Sequence, residues 1–459
     1  MTDKLYWVWL AQILKPGSRH FAYLMEHFSS AYEIYSADEG DLRSYDLPES
    51  VSDSLLNKDL TEANAILDYC TRNGIGILDY GCKGYPSRLR TLNNPPVLLY
   101  FKGEFPNLDN SVSIAVVGTR KMSEYGARYA YKIAYELASA NVTIVSGMAL
   151  GGDGAAACGA LSARGKTIAV LGSGVDVVYP PEHVKLYNEI VKHGAVVSEY
   201  APTTRPNKPN FPIRNRIISG LSNGTLVVEC DMESGAMITA EKALAQGREI
   251  FAIPGKVGDH NANGTNKLIK DGATMVLSSS DIINAYEFYY GHSINYTNLS
   301  YAQAHSEPCE EAFERYGVCF VLDKRVNDGK SNLGSGSTLR ASRRVSPIKE
   351  KNEPDLAEML KPRLKKRKPQ NSDADMAEEK KAELSAPRIK RSPENTEKKL
   401  AALSDKQREI LAAFPDDRAI SADELASVGY SGAETMGSLA LLEMLGIISS
   451  LPGGLYIKN

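Results

Sequence analysis

Between residues 111 and 290, short uninterrupted apolar runs recur at helix-length intervals: 114–117, 142–145, 167–171, 195–197, 225–228, 249–253 and 274–277. A run with no polar alternation belongs to a strand buried on both faces, and intervals of this length hold helices. Together they specify a parallel sheet covered on both sides, an α/β fold. An antiparallel sandwich with one wet face would show alternating polar residues instead.

The ends of these runs are the second constraint. Nearly every one finishes in glycine or a small polar residue: Gly118-Thr119-Arg120, Ser146-Gly147, Gly172-Ser173-Gly174, Ser198-Glu199 and Pro254-Gly255. In open α/β sheets, ligands bind beyond the carboxyl ends of the strands, where helix N-termini present unpaired N–H groups. The glycine-rich turns therefore converge on one rim. The first turn, Gly118 through Gly126, matches neither G-x-G-x-x-G nor a Walker A loop, so no dinucleotide or nucleoside triphosphate cofactor is expected. Arg120, two residues past its strand, suits either a forked contact to phosphate or a salt bridge within the loop. Ser234, Gly235 and Thr239 open another helix, and their hydroxyls suit phosphate oxygens or simple capping.

Residues 208–221 concentrate three cations and an aromatic ring at a helix start: Lys208, Phe211, Arg214 and Arg216. Pro212 suits a first helical turn, and Asn210 is placed to cap it. Helical spacing puts Arg214, Ile217, Ile218 and Leu221 on one stripe. Arg216 lies about 200° round from Arg214, so the two arginines face different ways. This is the pattern of an anion site with a stacking surface, and equally that of an ion-paired helix start.

The flanks read differently. A chain of 459 residues suggests two to four domains, and a net charge of −3 means that any polyanion must be met by a local patch. Six cysteines show no Cys-x-x-Cys or Cys/His spacing, which points to free thiols in a reducing compartment and no metal site. The apolar run 5–14 is too short for a membrane span and lacks a cleavage site, so the expected location is cytoplasmic, with no membrane partner. Residues 1–73 read as a helical domain, with stripes Trp7, Leu10, Ile13, Leu14 and Phe21, Leu24, Met25, Phe28 flanking a Pro16-Gly17 turn. Residues 74–110 read as an approach segment with edge strands. Beyond the 111–290 core, residues 291–403 are expected to be a mostly disordered charged linker, with 291 to about 320 ambiguous between order and disorder and 324 to about 399 rich in Lys, Arg, Glu, Ser and Pro. Residues 404–459 pattern as three helices and a hairpin, a winged helix. Its expected recognition helix, 431–446, carries Glu434 and Glu443 and no cation, which favours a protein contact or structural unit over a DNA reader.

The ordered motifs of the core resemble one family, the bacterial DNA-processing protein A (DprA, also called Smf) family. The resemblance rests on Gly118-Thr-Arg120 with Ser123, Ser146-Gly147, Gly172 with Asp176 and Tyr179-Pro180, Ser198-Glu199, and the run from Phe211 to Leu221. It extends to Ser234-Gly235 with Thr239, Pro254-Gly255 and Gly264-Thr265. It implies an extended Rossmann-like doubly wound sheet with a small N-terminal helical domain and a C-terminal winged helix. It implies a dimer that binds single-stranded DNA, protects incoming DNA in natural transformation and loads a RecA-type recombinase, without enzymatic activity. The family's phosphate positions fall on Arg120 and Lys208 and its base-contacting ring on Phe211. The expected DNA-contacting set is Gly118, Thr119, Arg120, Ser123, Gly147, Lys208, Phe211, Arg214, Asn215, Arg216, Ser234, Gly235 and Thr239.

One stretch departs from the family pattern. Where the family carries an arginine and a histidine, this chain has Leu150 and Ala157, while Asp153 is kept. Related Rossmann-like proteins that hydrolyse nucleotides use a Pro-Gly-Gly-x-Gly-Thr-x-x-Glu loop. Aligning its glutamate on Glu241 puts Ser234, Met237 and Ile238 where Gly, Gly and Thr belong. The enzymatic alternative is thus disfavoured, with Glu241 and Glu229 left as groups able to serve a nucleotide. A third alternative is an interaction scaffold whose winged helix docks a partner.

Overall fold

The computed structural model describes residues 2–305 and 308–322. In the C-terminal segment it describes 405–412, 414, 420–421, 438–439, 442, 447–451 and 455–458. The strands are β1 (Gly76–Asp79), β2 (Leu98–Gly103), β3 (Ser113–Val117), β4 (Lys121–Met122), β5 (Thr143–Ser146), β6 (Thr167–Val170), β7 (Ala195–Ser198), β8 (Gly224–Val227), β9 (Glu249–Ala252), β10 (Thr274–Met275) and β11 (Val321–Leu322). Nine of them form one sheet in the order β1-β2-β7-β6-β5-β3-β8-β9-β10. From β7 to β10 every pairing is parallel, and β2 pairs antiparallel with both β7 and β1. The segment 74–110 is therefore a wing of the main sheet, with β2 an interior strand.

Successive side chains of a strand leave on opposite faces, and β3 shows why its run is wholly apolar. Ile114 and Val116 pack under the helices Glu124–Ser139 and Gly152–Ser162. Ala115 and Val117 pack under Asn210–Gly220 and Gly235–Ala245. The first pair of helices touches closely at Gly159, where a Cβ would lie 2.3 Å from the Tyr131 carbonyl oxygen.

Six helices fall between Thr2 and Arg72. Trp7, Leu10, Leu14, Phe21 and Leu24 are buried there in a core that also contains Ile77, Leu98 and Tyr100 of the antiparallel wing. These helices do not close a core of their own; they cover the sheet's edge.

Residues 291–322 depart from the expected linker. Helices Tyr296–Ala304 and Cys309–Tyr316 return to the sheet, and β11 pairs in parallel with β4. Leu299, Ala302, Cys309, Ala312 and Phe313 are buried, most of them in the core beneath Glu124–Ser139. Two short helices with few apolar residues give a weak periodic signal, and their order comes from the surface they cover.

The C-terminal unit contains the helix Asp405–Ala412 and a three-stranded antiparallel sheet of β12 (Ile420–Ser421), β14 (Leu455–Lys458) and β13 (Ile448–Leu451). Ile410, Leu411, Phe414, Leu439, Leu442 and Ile448 form its core. The expected linker 323–403 and most of the expected recognition helix, Glu434 and Glu443 included, lie outside the described residues. Among the described residues no helix is long and apolar enough to cross a membrane.

Candidate nucleic-acid interface

The rim is built where β3, β5 and β6 end against the start of the Asn210–Gly220 helix. Asn210 does not cap that helix, whose N-cap is Pro209 with no side-chain bond. Its amide instead donates to the Gly172 carbonyl (2.9 Å), tying the first turn to the end of β6. That tie sets Phe211 over Gly172, where a Cβ would come within 3.0 Å of the ring. Arg120 and Arg214 carry their guanidinium carbons 5.6 and 5.8 Å from the Phe211 ring centre. The Tyr179 ring lies 5.4 Å from it at 38°. These four side chains, with Gly147, Ala149, Leu150 and Pro180, line one shallow cleft.

The two arginines have different surroundings. Arg120 is exposed on the loop after β3. That loop is held by Thr119 N–H donating to the Glu229 carbonyl (2.8 Å) and Gly152 N–H donating to the Thr119 carbonyl (3.3 Å). Arg214 is buried and donates to the carbonyls of Gly147 (3.0 Å) and Val170, which fixes it beneath the ring. Burial pushes its guanidinium down to about 10, against the pull of Asp153 and with the push of Arg120, so it stays charged at neutral pH. Asp153 is likewise pushed up by burial, while Arg214 and the N–H groups of Gly147 and Ala149 pull it back. Its Oδ2 accepts from Gly147 N–H at 2.9 Å. Only glycine fits at 147, since a Cβ would lie 2.6 Å from Asp153 Oδ2 and 2.7 Å from Arg214 Nη2.

The remaining candidates separate into three groups. Lys208 is exposed one turn before the ring, its carbonyl accepting from Phe211 N–H at 3.4 Å, and Gly118 and Thr119 form the partly exposed loop beside Arg120. Ser234, Gly235 and Thr239 shape the next helix start: Ser234 accepts from Met237 N–H, Thr239 donates to the Gly235 carbonyl, and Asn215 reaches the same carbonyl at 3.5 Å. Thr239 is buried, as are Gly147 and Arg214, and the structure turns Arg216 and Ser123 into internal contacts. Arg216 is buried with Nη2 2.5 Å from both carboxylate oxygens of Glu199, on the side of the helix turned to Gly17. Ser123 is buried, caps the helix Glu124–Ser139 through Gly126 N–H and donates its hydroxyl to Glu229.

Glu229 accepts Ser123 N–H (2.9 Å) as well and is pushed up by burial; it clamps the loop from below. Glu241 is exposed on the outer helix. Of the two departures from the family pattern, Leu150 lines the cleft, whereas Ala157 is wholly buried among Met148, Leu161 and Leu171. An imidazole does approach that helix from elsewhere: a Cβ at Gly154 would lie 2.7 Å from His183 Cε1. Sequence reasoning passed over Tyr179 as a wall of the cleft; its signal was the Tyr-Pro pair placed a few residues beyond a strand-end glycine turn.

The chain is similar to known proteins in sequence and in fold. The sequence model of the family described as DNA recombination-mediator protein A matches residues 76–287. The chain is 41% identical over 209 residues to the DNA processing protein DprA of Bacillus subtilis, covering 46% of this chain and 70% of that one. It is 44% identical over 206 residues to DprA of Streptococcus pneumoniae, covering 44% and 72%. The X-ray structure of the S. pneumoniae protein superposes with a TM-score of 0.54 at 32% identity, covering 62% of this chain and 98% of the other. The matched span holds the whole nine-stranded sheet and every residue of the Phe211 cleft, and with relatives above 40% identity matched over 70% and 72% of their own length, the chain belongs to the DNA-processing protein A family.

Proposed function

We propose that the rim binds single-stranded DNA without cleaving it. The observation that carries this reading is the Phe211 ring, set at the strand-end rim between two guanidinium groups and beside Tyr179. Grooves for single strands combine cations that follow the backbone with rings on which bases stack, and a base in a duplex has no free face to offer. In this reading Phe211 stacks a base and Arg120 and Lys208 hold phosphates. Arg214 supplies fixed positive charge from below, and the partly exposed Gly118–Thr119 loop and the Ser234–Gly235 turn line the path.

The family supports a role in DNA processing during transformation, with loading of a RecA-type recombinase as the downstream step. A second copy of the chain is the partner we assign to the sheet edge, where β10 is exposed and Met275 and Leu277 are 47% and 67% accessible. The helices of residues 1–73 and the small C-terminal sheet with its helix are read as a helical module and a winged helix that meet protein partners. Six free cysteines suit a cytoplasmic location.

Titrating oligo-dT against blunt duplex across salt concentrations tests the central claim. The single strand should bind more tightly, with a log-log salt slope near about −0.7 per phosphate neutralised. Equal affinity for the duplex would overturn it, and hydrolysis of a nucleotide in the control assay would favour the enzymatic alternative.

A further inference from the structure

A second cleft, about 420 Å³, opens between the helix His20–His27 and the turn segment after β1, and shares no residue with the Phe211 cleft. Its volume falls within the roughly 300–1,000 Å³ typical of small-ligand sites. Arg19, Tyr23 and Glu26 line one side, and Tyr80, Arg90 and Asn93 the other. Met25 and the buried Leu92 give it an apolar floor.

The arginines are prepared unequally. Arg90 sits over Tyr80, its guanidinium carbon 4.5 Å from the ring centre and 5.0 Å from that of Tyr85, while Nη2 donates to the Cys82 carbonyl (3.0 Å). Among the described residues this is one hydrogen bond from a side chain with five N–H donors, so the fork is held in direction with donors to spare. Arg19 faces it from an exposed position at the opposite lip. Neither arginine takes part in an ion pair among the described residues. Two cations suit a phosphate, but a bare phosphate would leave the floor and the Tyr23 ring unused, and a purely apolar ligand would strand both guanidinium groups. Asn93 and Glu26 add a donor and acceptors of the kind that read the edge of a base. We infer that this cleft binds a nucleoside 5′-phosphate unit, free or at the end of a DNA strand, at a site separate from the rim.

Calorimetric titration of the full chain with dGMP and, separately, inorganic phosphate tests the assignment. One dGMP site is expected, with phosphate bound more weakly. Arg19→Glu should weaken dGMP by about tenfold or more, the loss of one charge-assisted contact, and Asn93→Asp should weaken it in the same direction. Phe211→Ala should leave dGMP binding unchanged. In the Phe211→Ala background, a 5′-phosphorylated oligo-dT that responds to Arg19→Glu assigns the strand end, and a response of dGMP alone assigns the free nucleotide. Absence of dGMP and strand-end binding in the wild-type chain overturns the site. So does dGMP binding that survives both Arg19→Glu and Asn93→Asp, or that Phe211→Ala abolishes.

Discussion

In the proposed groove Phe211 and Arg120 would contribute to binding through different physics, and point variants separate them. A guanidinium or ammonium on a phosphate acts by releasing counterions, so Arg120→Ala and Lys208→Ala should each lower the salt slope by about one unit or less. A stacked base is indifferent to salt, so Phe211→Ala should cost about 1–3 kcal/mol with the slope unchanged. Fluorescence-anisotropy titrations at several salt concentrations read both quantities. Identical behaviour of both classes of variant and wild type would move the site elsewhere. Arg214 is the instructive case at this scale. Helical spacing alone put it on the buried stripe and turned Arg216 away from it, and both placements hold in the structure. What spacing does not carry is the partner across the fold. Glu199, which neutralises Arg216, arrives from beyond β7, and the Gly172 carbonyl, which takes Asn210 from its expected cap, from beyond β6.

Elements whose sequence signal is local were legible, and those that depend on a neighbour's surface were not. The six parallel strands from β7 to β9 announce themselves because each is buried almost throughout on both faces and is therefore mostly apolar, whereas β10, the edge strand, is exposed. The helix Cys309–Tyr316 has only Cys309, Ala312 and Phe313 to bury, and its order is supplied by the surface of Glu124–Ser139 and Gly152–Ser162. Phe313 packs edge-on against Tyr131 at 5.7 Å and against Phe320 at 5.2 Å. Phe313→Ala should therefore destabilise the core by about 3 kcal/mol, measured by denaturant unfolding. A loss within experimental error would mean that this segment is a passive appendage. Next to it, Cys319 N–H donates to His183 Nε2 (3.1 Å), which leaves Nδ1 to carry the proton and donate to the Met148 carbonyl (3.0 Å). Burial holds this imidazole below its usual range, in keeping with the neutral tautomer that the geometry requires.

For the whole chain, the division of labour we propose places strand recognition in the nine-stranded sheet and partner contact in the C-terminal unit. Deleting residues 404–459 should leave oligo-dT affinity within a few-fold of wild type, since the cations and ring of the groove all precede that segment; a tenfold loss, about 1.4 kcal/mol, would reassign part of the interface to it. The chain's path out of the sheet matters here. Its last described strand before residue 323, β11, lies against β4, and Val321 is registered with Lys121, the residue next to Arg120. Tension on the chain at Leu322 therefore arrives first at the lip of the groove, through a two-residue pairing, before it reaches the sheet. A pull from the C-terminal side would load this short pairing beside the Arg120 loop, which makes β4 the mechanically exposed point of the fold.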